Sequence, residues 1–251
     1  MRHLTLCLLA LLVLTNCGRM SGAPPPPSED RINAPTTPAD APPAEAFEAN
    51  ATPGAQTITA EVWSDNWFAL YVDETLFKED SVSITTERSF NSEVFSFAAT
   101  YPLYLNVVLK DYIQDDTGLE YIGTERQQIG DGGFIAQFSD TATGKRIAVT
   151  DSSWKCIPIH IAPLDPSCAA EANPVAGQGA CTNAILPEPD GWMTQGFDES
   201  SWQAAIIYDA RVVRPKDGYD EISWDPSAQF IWGPDLKTNN TVLCRVTIQA
   251  P

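Results

Sequence analysis

The clearest pattern along the chain is an alternation of apolar and polar positions with a period of two residues. Phe68, Leu70 and Val72 fall on one side of a segment whose intervening residues fall on the other. Successive side chains of a β-strand point to opposite faces, so this segment is predicted to be a strand. Similar strand-like patterns recur at residues 94–97, 103–110, 133–138, 154–160 and 242–248.

Turn-forming residues separate these segments, and helical periodicity is nearly absent. Asp and Gly concentrate at residues 115–118, 143–144 and 216–218, and residues 130–133 (Gly-Asp-Gly-Gly) read as a hairpin turn. One short turn is predicted to open at Asp198, whose carboxylate can cap free amides. Many short strands divided by turns predict an all-β fold, an antiparallel β-sandwich of the jelly-roll type.

The first residues follow a different pattern. Arg2 precedes an apolar run from Leu4 to Leu14 that is shorter than the about 20 residues needed to span a bilayer, as in a signal peptide. Residues 14–18 (Leu-Thr-Asn-Cys-Gly) resemble the bacterial lipoprotein box, in which cleavage precedes a cysteine that receives diacylglycerol. The resemblance implies a signal peptide over residues 1–16, lipidation of Cys17 and an outer-membrane lipoprotein of the bacterial cell envelope, held to the membrane by lipid only. A soluble secreted or periplasmic protein and an uncleaved anchor are the alternatives.

Proline dominates the next segment. Residues 17–55 contain four consecutive prolines, Pro24–Pro27, and further prolines among Ala, Thr, Ser and acidic residues. Such a composition favours an extended, solvated backbone and cannot build a core. Residues 17–55 are therefore predicted to be a disordered linker, either a spacer or a leader without a role. The folded domain is predicted over residues 56–251.

The chain carries a net charge of −18. This acidity argues against nucleic acid and anionic lipid as partners, because both attract a basic surface. Acidic residues concentrate in the loop that holds Asp111, Asp115, Asp116, Glu120 and Glu125. That loop is either simply solvated, or a calcium site, since hard cations prefer several oxygen ligands, or a source of catalytic carboxylates. The calcium hypothesis takes Asp65, Asp111, Asp115 and Asp116 as ligands.

Cysteine and histidine limit the chemistry further. Of six cysteines, Cys7 belongs to the signal peptide and Cys17 to the lipid site, which leaves an even number in an exported domain. We expect two disulfides, Cys156–Cys244 between neighbouring strands and Cys168–Cys181 across a loop, although two other pairings exist. Zinc is disfavoured because no Cys-x-x-Cys spacing occurs. His160 is the one histidine after the signal peptide, so no multi-histidine site is available, and no catalytic set is recognised.

Three short motifs, in order along the chain, carry a resemblance to galactose-binding-like β-sandwiches. They are residues 64–73 (SDNWFALYVD), 150–155 (TDSSWK) and 197–202 (FDESSW). The resemblance covers roughly residues 60–248 and implies the fold of sugar-binding modules appended to glycoside hydrolases. This sequence departs from that family at Glu74, where an Asn-Gly turn is usual, and at residues 157–190, which resemble an inserted, disulfide-held loop.

The candidate ligand site lies in loops at one end of the sandwich, because loops on a rigid scaffold are free to present polar groups. Asp65 and Asn66 are expected at the rim, with Asp111 and Asp131 as neighbours, and Trp192 is expected to offer an exposed ring for sugar stacking. Alternatively, Asp65 and Asn66 only form a turn. The function expected is non-catalytic binding of carbohydrate or another cell-surface polymer. Docking of an envelope protein is the alternative, and glycan hydrolysis by acidic loops is a weaker one.

Overall fold

The structure is a computed structural model, and it describes residues 55–250. The predicted signal peptide, Cys17 and the linker up to residue 54 lie outside the described residues. Residues 55–250 form fifteen strands: β1 Gln56–Asp65, β2 Trp67–Val72, β3 Thr75–Glu79, β4 Asn91–Ala99, β5 Leu103–Lys110, β6 Leu119–Glu120, β7 Gln128–Ile129, β8 Gly133–Asp140, β9 Arg146–Val149, β10 Lys155–Ile161, β11 Ala184–Ile185, β12 Gln203–Ala204, β13 Ile206–Tyr208, β14 Phe230–Trp232 and β15 Asn239–Ile248.

The strands form two antiparallel sheets and a small ribbon. Sheet I has the order β13-β14-β8-β1-β4, with β9 also paired to β8. Sheet II has the order β11-β10-β15-β5-β2-β3, with β12 also paired to β10, and β6 pairs with β7 in the ribbon. The prediction of an all-β fold with antiparallel sheets is confirmed, and the arrangement is consistent with a β-sandwich.

One hydrophobic core joins the two sheets. Alternate residues of β1 in sheet I and of β2 and β5 in sheet II are buried in the same cluster. The rings of Phe68 in β2 and Phe134 in β8 contact across the sheets, with centroids 6.0 Å apart. The period of two in the sequence therefore corresponds to side chains that alternate between the core and the outer face of each strand. Burial of these apolar side chains is the main stabilising contribution to the fold.

The chain passes from one sheet to the other between β1 and β2. Asp65 is the last residue of β1 and pairs with Gly133 of β8 in sheet I. Trp67, the first residue of β2, pairs with Lys110 of β5 in sheet II. Asn66 alone separates the two strands, so Asp65 and Asn66 lie at a corner of the molecule where the sheets are joined.

Both predicted disulfides are present. Cys156 and Cys244 face each other in register on β10 and β15. Cys168 and Cys181 join two short 3₁₀ helices, Pro166–Ala170 and Gly179–Cys181, and pack against Leu119 of the ribbon. The loop expected over residues 157–190 is shorter than predicted, because β10 continues to Ile161 and β11 begins at Ala184.

One local expectation needs correction, and another is confirmed. The run Gly130–Gly133 is not a hairpin turn, since β7 pairs with β6 and β8 pairs with β1, so the run links the ribbon to sheet I. Asp198 does cap a turn, with its Oδ1 accepting from the Ser200 amide at 3.0 Å. The sequence analysis missed a short helix, α1 Ala210–Val213, which Asp209 caps. Within residues 55–250, no helix has both the length and the apolar character needed to cross a membrane.

Candidate functional site

Four carboxyl groups lie within electrostatic range of one another near the point where the chain crosses between the sheets. Asp65 ends β1, Asp111 directly follows β5, Glu120 lies in β6, and Asp131 precedes β8. We call these four residues the acidic cluster. The exposed fractions of Asp65, Asp111 and Glu120 are 2%, 3% and 4%, and Asp131 is half-buried. Carboxylates are rarely buried without a partner, so the cluster is the most unusual polar feature of the domain.

Burial and mutual repulsion raise the pKa values within the cluster. Burial, reinforced by the charge of Asp131, raises the pKa of Asp65 to about 8, although Lys216 opposes the shift. Burial also raises the pKa of Glu120 to about 7, against a hydrogen bond from Gln128. Burial first, and then Asp65, Glu120 and Asp131, raise the pKa of Asp111 well above its usual value, against a hydrogen bond from the Tyr112 amide. Burial and repulsion both penalise the ionised carboxylates.

The carboxyl group of Asp111 is buried and poorly hydrogen-bonded. Within residues 55–250, neither oxygen has a partner with full hydrogen-bond geometry, although the Tyr112 amide is close enough to lower its pKa. The backbone amide of Asp111 donates to the Asn240 carbonyl at 2.9 Å, and this hydrogen bond fixes the backbone that carries the side chain. A Cβ atom on Gly130 would lie 2.5 Å from Asp111 Oδ2, so only glycine allows the carboxyl group its position. The side chain is therefore held in place by backbone contacts while its oxygens remain poorly hydrogen-bonded.

Asn66 has a structural role at the corner. Its side-chain oxygen accepts a hydrogen bond from the Tyr112 amide at 2.6 Å, and its own amide donates to the Lys110 carbonyl at 3.1 Å. These contacts fasten the crossover to the end of β5. Both contacts reach residues far away in the sequence, so they are not the local turn bonds of the alternative in which Asp65 and Asn66 only form a turn.

Asp115 and Asp116 are engaged elsewhere. Asp115 Oδ1 accepts from the Thr117 amide and hydroxyl, at 2.9 and 2.5 Å. Asp116 Oδ1 lies 3.2 Å from His160 Nε2. Neither residue is among the principal charges that raise the pKa values of Asp65 and Asp111. Asp115 and Asp116 thus have other partners, and the calcium set of Asp65, Asp111, Asp115 and Asp116 stays a prediction.

The expectation that Trp192 is exposed is wrong. Its side chain is 2% exposed, it packs on Trp202 with ring centroids 5.8 Å apart, and its indole N–H donates to Glu188. The segment that contains Trp192 folds over the outer face of sheet II. A cleft of about 360 Å³ lies against this segment, lined by Glu74, Glu188, Pro189, Asp190, Gly191, Trp192 and Met193. Because Trp192 is buried, little of its ring faces this cleft.

Two tyrosines that the sequence analysis did not select lie beside the acidic cluster. Burial, then the charge of Glu87 and then that of Glu120, raises the pKa of Tyr112. Burial and a hydrogen bond to Glu87 raise the pKa of Tyr121, and Glu120 contributes least. Both side chains are half-buried. The Arg126 guanidinium lies 3.8 Å from the Tyr121 ring centroid and covers one face. The rim of the cluster thus combines aromatic rings with polar groups.

Glycines bring Asp131 into the cluster. Besides Gly130, a Cβ on Gly132 would lie 2.3 Å from the Trp232 ring, and one on Gly133 would lie 2.5 Å from Val213. The link between ribbon and sheet I has no room for side chains at these positions. An acidic residue flanked by glycines was the signal in the sequence for this close approach, whereas nothing in the sequence placed Glu120 beside Asp65.

The cluster contains only oxygen donors, so its chemistry is that of hard cations and hydrogen-bond donors such as hydroxyl groups. Across residues 55–250, no three His, Cys, Asp or Glu side chains already converge closely enough to hold a metal ion together. Comparisons of the chain with family models, with curated proteins and with solved structures find no match. The fold and the site therefore define a two-sheet, disulfide-bonded β-domain with an acidic corner.

Proposed function

We propose that this chain is a lipid-anchored cell-envelope protein whose domain, a jelly-roll sandwich of the galactose-binding-like type, binds carbohydrate or a similar surface polymer without catalysis. The acidic corner and its rim would be the binding surface. The lipoprotein box supports the location, and the three motifs in order support the type of fold.

The observation that carries the proposal is the pair of half-buried tyrosines next to buried carboxyl groups. Sugar rings stack on aromatic faces through their apolar C–H groups, while their hydroxyls need polar partners close by. Tyr112 and Tyr121 supply rings, and Asp131, Arg126 and the exposed Lys216 supply polar groups around them. Binding is favoured over hydrolysis because Asp65 and Asp111 are too deeply buried to reach a glycosidic bond.

The test is a panel of glycans and envelope polymers presented to the mature protein. Tyr112→Ala and Tyr121→Ala should each weaken binding about tenfold or more if the rings stack on the ligand. Tyr104→Ala is the matched control, because Tyr104 is a half-buried tyrosine at the opposite end of β5. Equal binding by all three variants, or no binding by the wild type to any glycan, would remove the proposal.

A second candidate function has its own observation. Leu164, Val175, Ile185 and Leu186 are exposed apolar residues on the segment that includes the Cys168–Cys181 loop and the edge strand β11. Exposed apolar patches are typical of protein-interaction sites, so this side favours docking of another envelope protein. Loss of a crosslinked partner in an Ile185→Asp, Leu186→Asp variant that retains glycan binding would support it.

A further inference from the structure

Three basic side chains near the acidic cluster pack on aromatic rings. The Arg126 guanidinium lies 3.8 Å from the Tyr121 ring centroid. The Phe90 ring has Lys216 Nζ at 4.7 Å and the Arg88 guanidinium at 5.8 Å from its centroid. All three cations are exposed, and none of them forms an ion pair with a carboxylate of the described residues. We call Arg88, Arg126 and Lys216 the basic rim, and its charges are available to a ligand in spite of the net charge of −18.

Glu87 joins two of the three segments that carry the basic rim. It precedes Arg88 in the chain, and its carboxylate accepts a hydrogen bond from the Tyr121 hydroxyl, in the turn that also carries Arg126. This hydrogen bond is the largest cause that lowers the pKa of Glu87, and the charges of Arg126 and Arg88 lower it further. Lys216 approaches from a third segment, through the ring that it shares with Arg88. Three segments distant in sequence therefore bring their cations to one surface, where Glu87 offsets only part of the positive charge.

The neighbouring acidic cluster opposes an anion less than its number of carboxyls suggests. Burial first, and then Asp131, raises the pKa of Asp65 to about 8. Burial also raises the pKa of Asp111 well above its usual value. A raised pKa favours the protonated form of a carboxyl, which has no charge to repel an anion.

We propose that this surface binds glycans that carry an anionic group, a carboxylate or a sulfate, and that Arg126 recognises this group. The inference rests on the proposed function, since it names the class of glycan that the same surface would bind. A guanidinium stacked on an aromatic ring presents its N–H groups in one plane, and this fork matches two oxygens of a carboxylate or a sulfate. Arg88 and Lys216 would add positive charge around the bound group. The net charge of the chain disfavours a densely charged polyanion such as nucleic acid, whereas a glycan can place a single anionic group at the basic rim.

The test compares ligands that differ only in their anionic group. Oligogalacturonate is paired with its methyl ester, and a sulfated galactan with its desulfated form, in calorimetric titrations of the mature protein at low and at physiological ionic strength. The wild type should bind the charged member of at least one pair about tenfold more tightly, because hydrogen bonds to charged groups contribute more than neutral ones. This preference should decrease as the salt concentration rises. Arg126→Gln should lower the affinity for the charged member to about that for the neutral one, whereas Arg126→Lys, which keeps the charge without the planar fork, should retain part of the preference.

Lys145→Gln is the matched control for the loss of one positive charge. Lys145 is exposed in the turn after β8, at the end of that strand that lies away from Gly133 and the acidic cluster, so this variant should keep the full preference. The inference is overturned if the wild type binds both members of each pair equally, if Arg126→Gln keeps the preference, or if Lys145→Gln loses as much of it. It is also overturned if a DNA oligonucleotide binds as tightly as the charged glycans, since charge alone would then account for binding. Failure of the proposed function is a different result, in which the wild type binds no glycan, charged or neutral, and the inference falls with it.

Discussion

The two disulfides should differ in how much they stabilise the folded state. Cys156–Cys244 closes a loop with a sequence separation of 88, whereas Cys168–Cys181 closes one of 13. In the chain-entropy description, these lengths correspond to about 4.6 and about 2.9 kcal/mol of stabilisation, through restriction of the unfolded chain. Replacing Cys156 and Cys244 together by alanine is therefore expected to lower the free energy of unfolding by about 1.7 kcal/mol more than replacing the other pair.

Both double variants also lose packing, because all four cysteines are buried. Cys156 and Cys244 lie in the main core, whereas Cys168 and Cys181 lie in a small cluster with Leu119, so packing should widen the difference in the same direction. Urea unfolding of the wild type and both variants, followed by tryptophan fluorescence, gives the two free energies. Equal losses, or a larger loss for the Cys168, Cys181 variant, would refute the loop-length reasoning.

The smaller bridge should matter more for the site. Cys168 and Cys181 pack on Leu119, which is adjacent to Glu120 in the ribbon. Their replacement should loosen the ribbon and weaken glycan binding at the rim, while the Cys156, Cys244 variant, at a temperature where it remains folded, should retain it. A folded Cys168, Cys181 variant with wild-type glycan affinity would show that the ribbon holds Glu120 without the disulfide.

Two further predictions concern buried polar groups. Burial raises the pKa of Asp80 to about 8, above its unfolded value, so the folded state favours the protonated form. Its contribution to stability is present in full below pH 3.8 and falls as pH rises toward 8, by at most about 1.4 kcal/mol per pH unit. Asp80→Asn should remove this fall. Urea unfolding gives the free energies of unfolding of wild type and variant at pH 5 and pH 8, and their difference should change between the two pH values. The same difference at both pH values would contradict the prediction. Gly130→Ala should displace the Asp111 carboxyl group and lower the free energy of unfolding by about 1–3 kcal/mol. An unchanged urea unfolding curve would show that Asp111 moves aside without cost.

The strands were predictable because one face of each packs into the core. Alternation alone located β2, β5 and β8, and the position of cysteines in neighbouring strands led to the Cys156–Cys244 pair. The misplacement of Trp192 has a physical reason. Leu243 and Cys244 are consecutive and both buried, so β15 is covered on both faces, and the segment with Trp192 forms the outer cover. A turn-rich sequence before a tryptophan does not reveal whether the turn stands free or folds back onto a sheet.

The acidic corner was predictable only in part. Asp65, Asp111 and Asp131 were grouped because each was expected near a strand end, and the crossover between sheets brings these ends together. Glu120 joins them through the ribbon, which is held by contacts distant in sequence. Asp115 and Asp116 are next to Asp111 in the chain but are diverted by local hydrogen bonds with Thr117 and His160. Spacing along the chain therefore identified the acidic loop, but it did not identify which of its side chains lie near Asp65.

The central claim is that the rim of the acidic cluster, with Tyr112 and Tyr121, binds carbohydrate. Isothermal titration calorimetry of the mature protein with a glycan that the panel identifies tests it most directly. The wild type and the Tyr104→Ala control should bind with the same affinity, and Tyr112→Ala should bind more weakly by about tenfold or more. Equal affinities of all three proteins, or no binding heat from the wild type with any glycan, would contradict the claim.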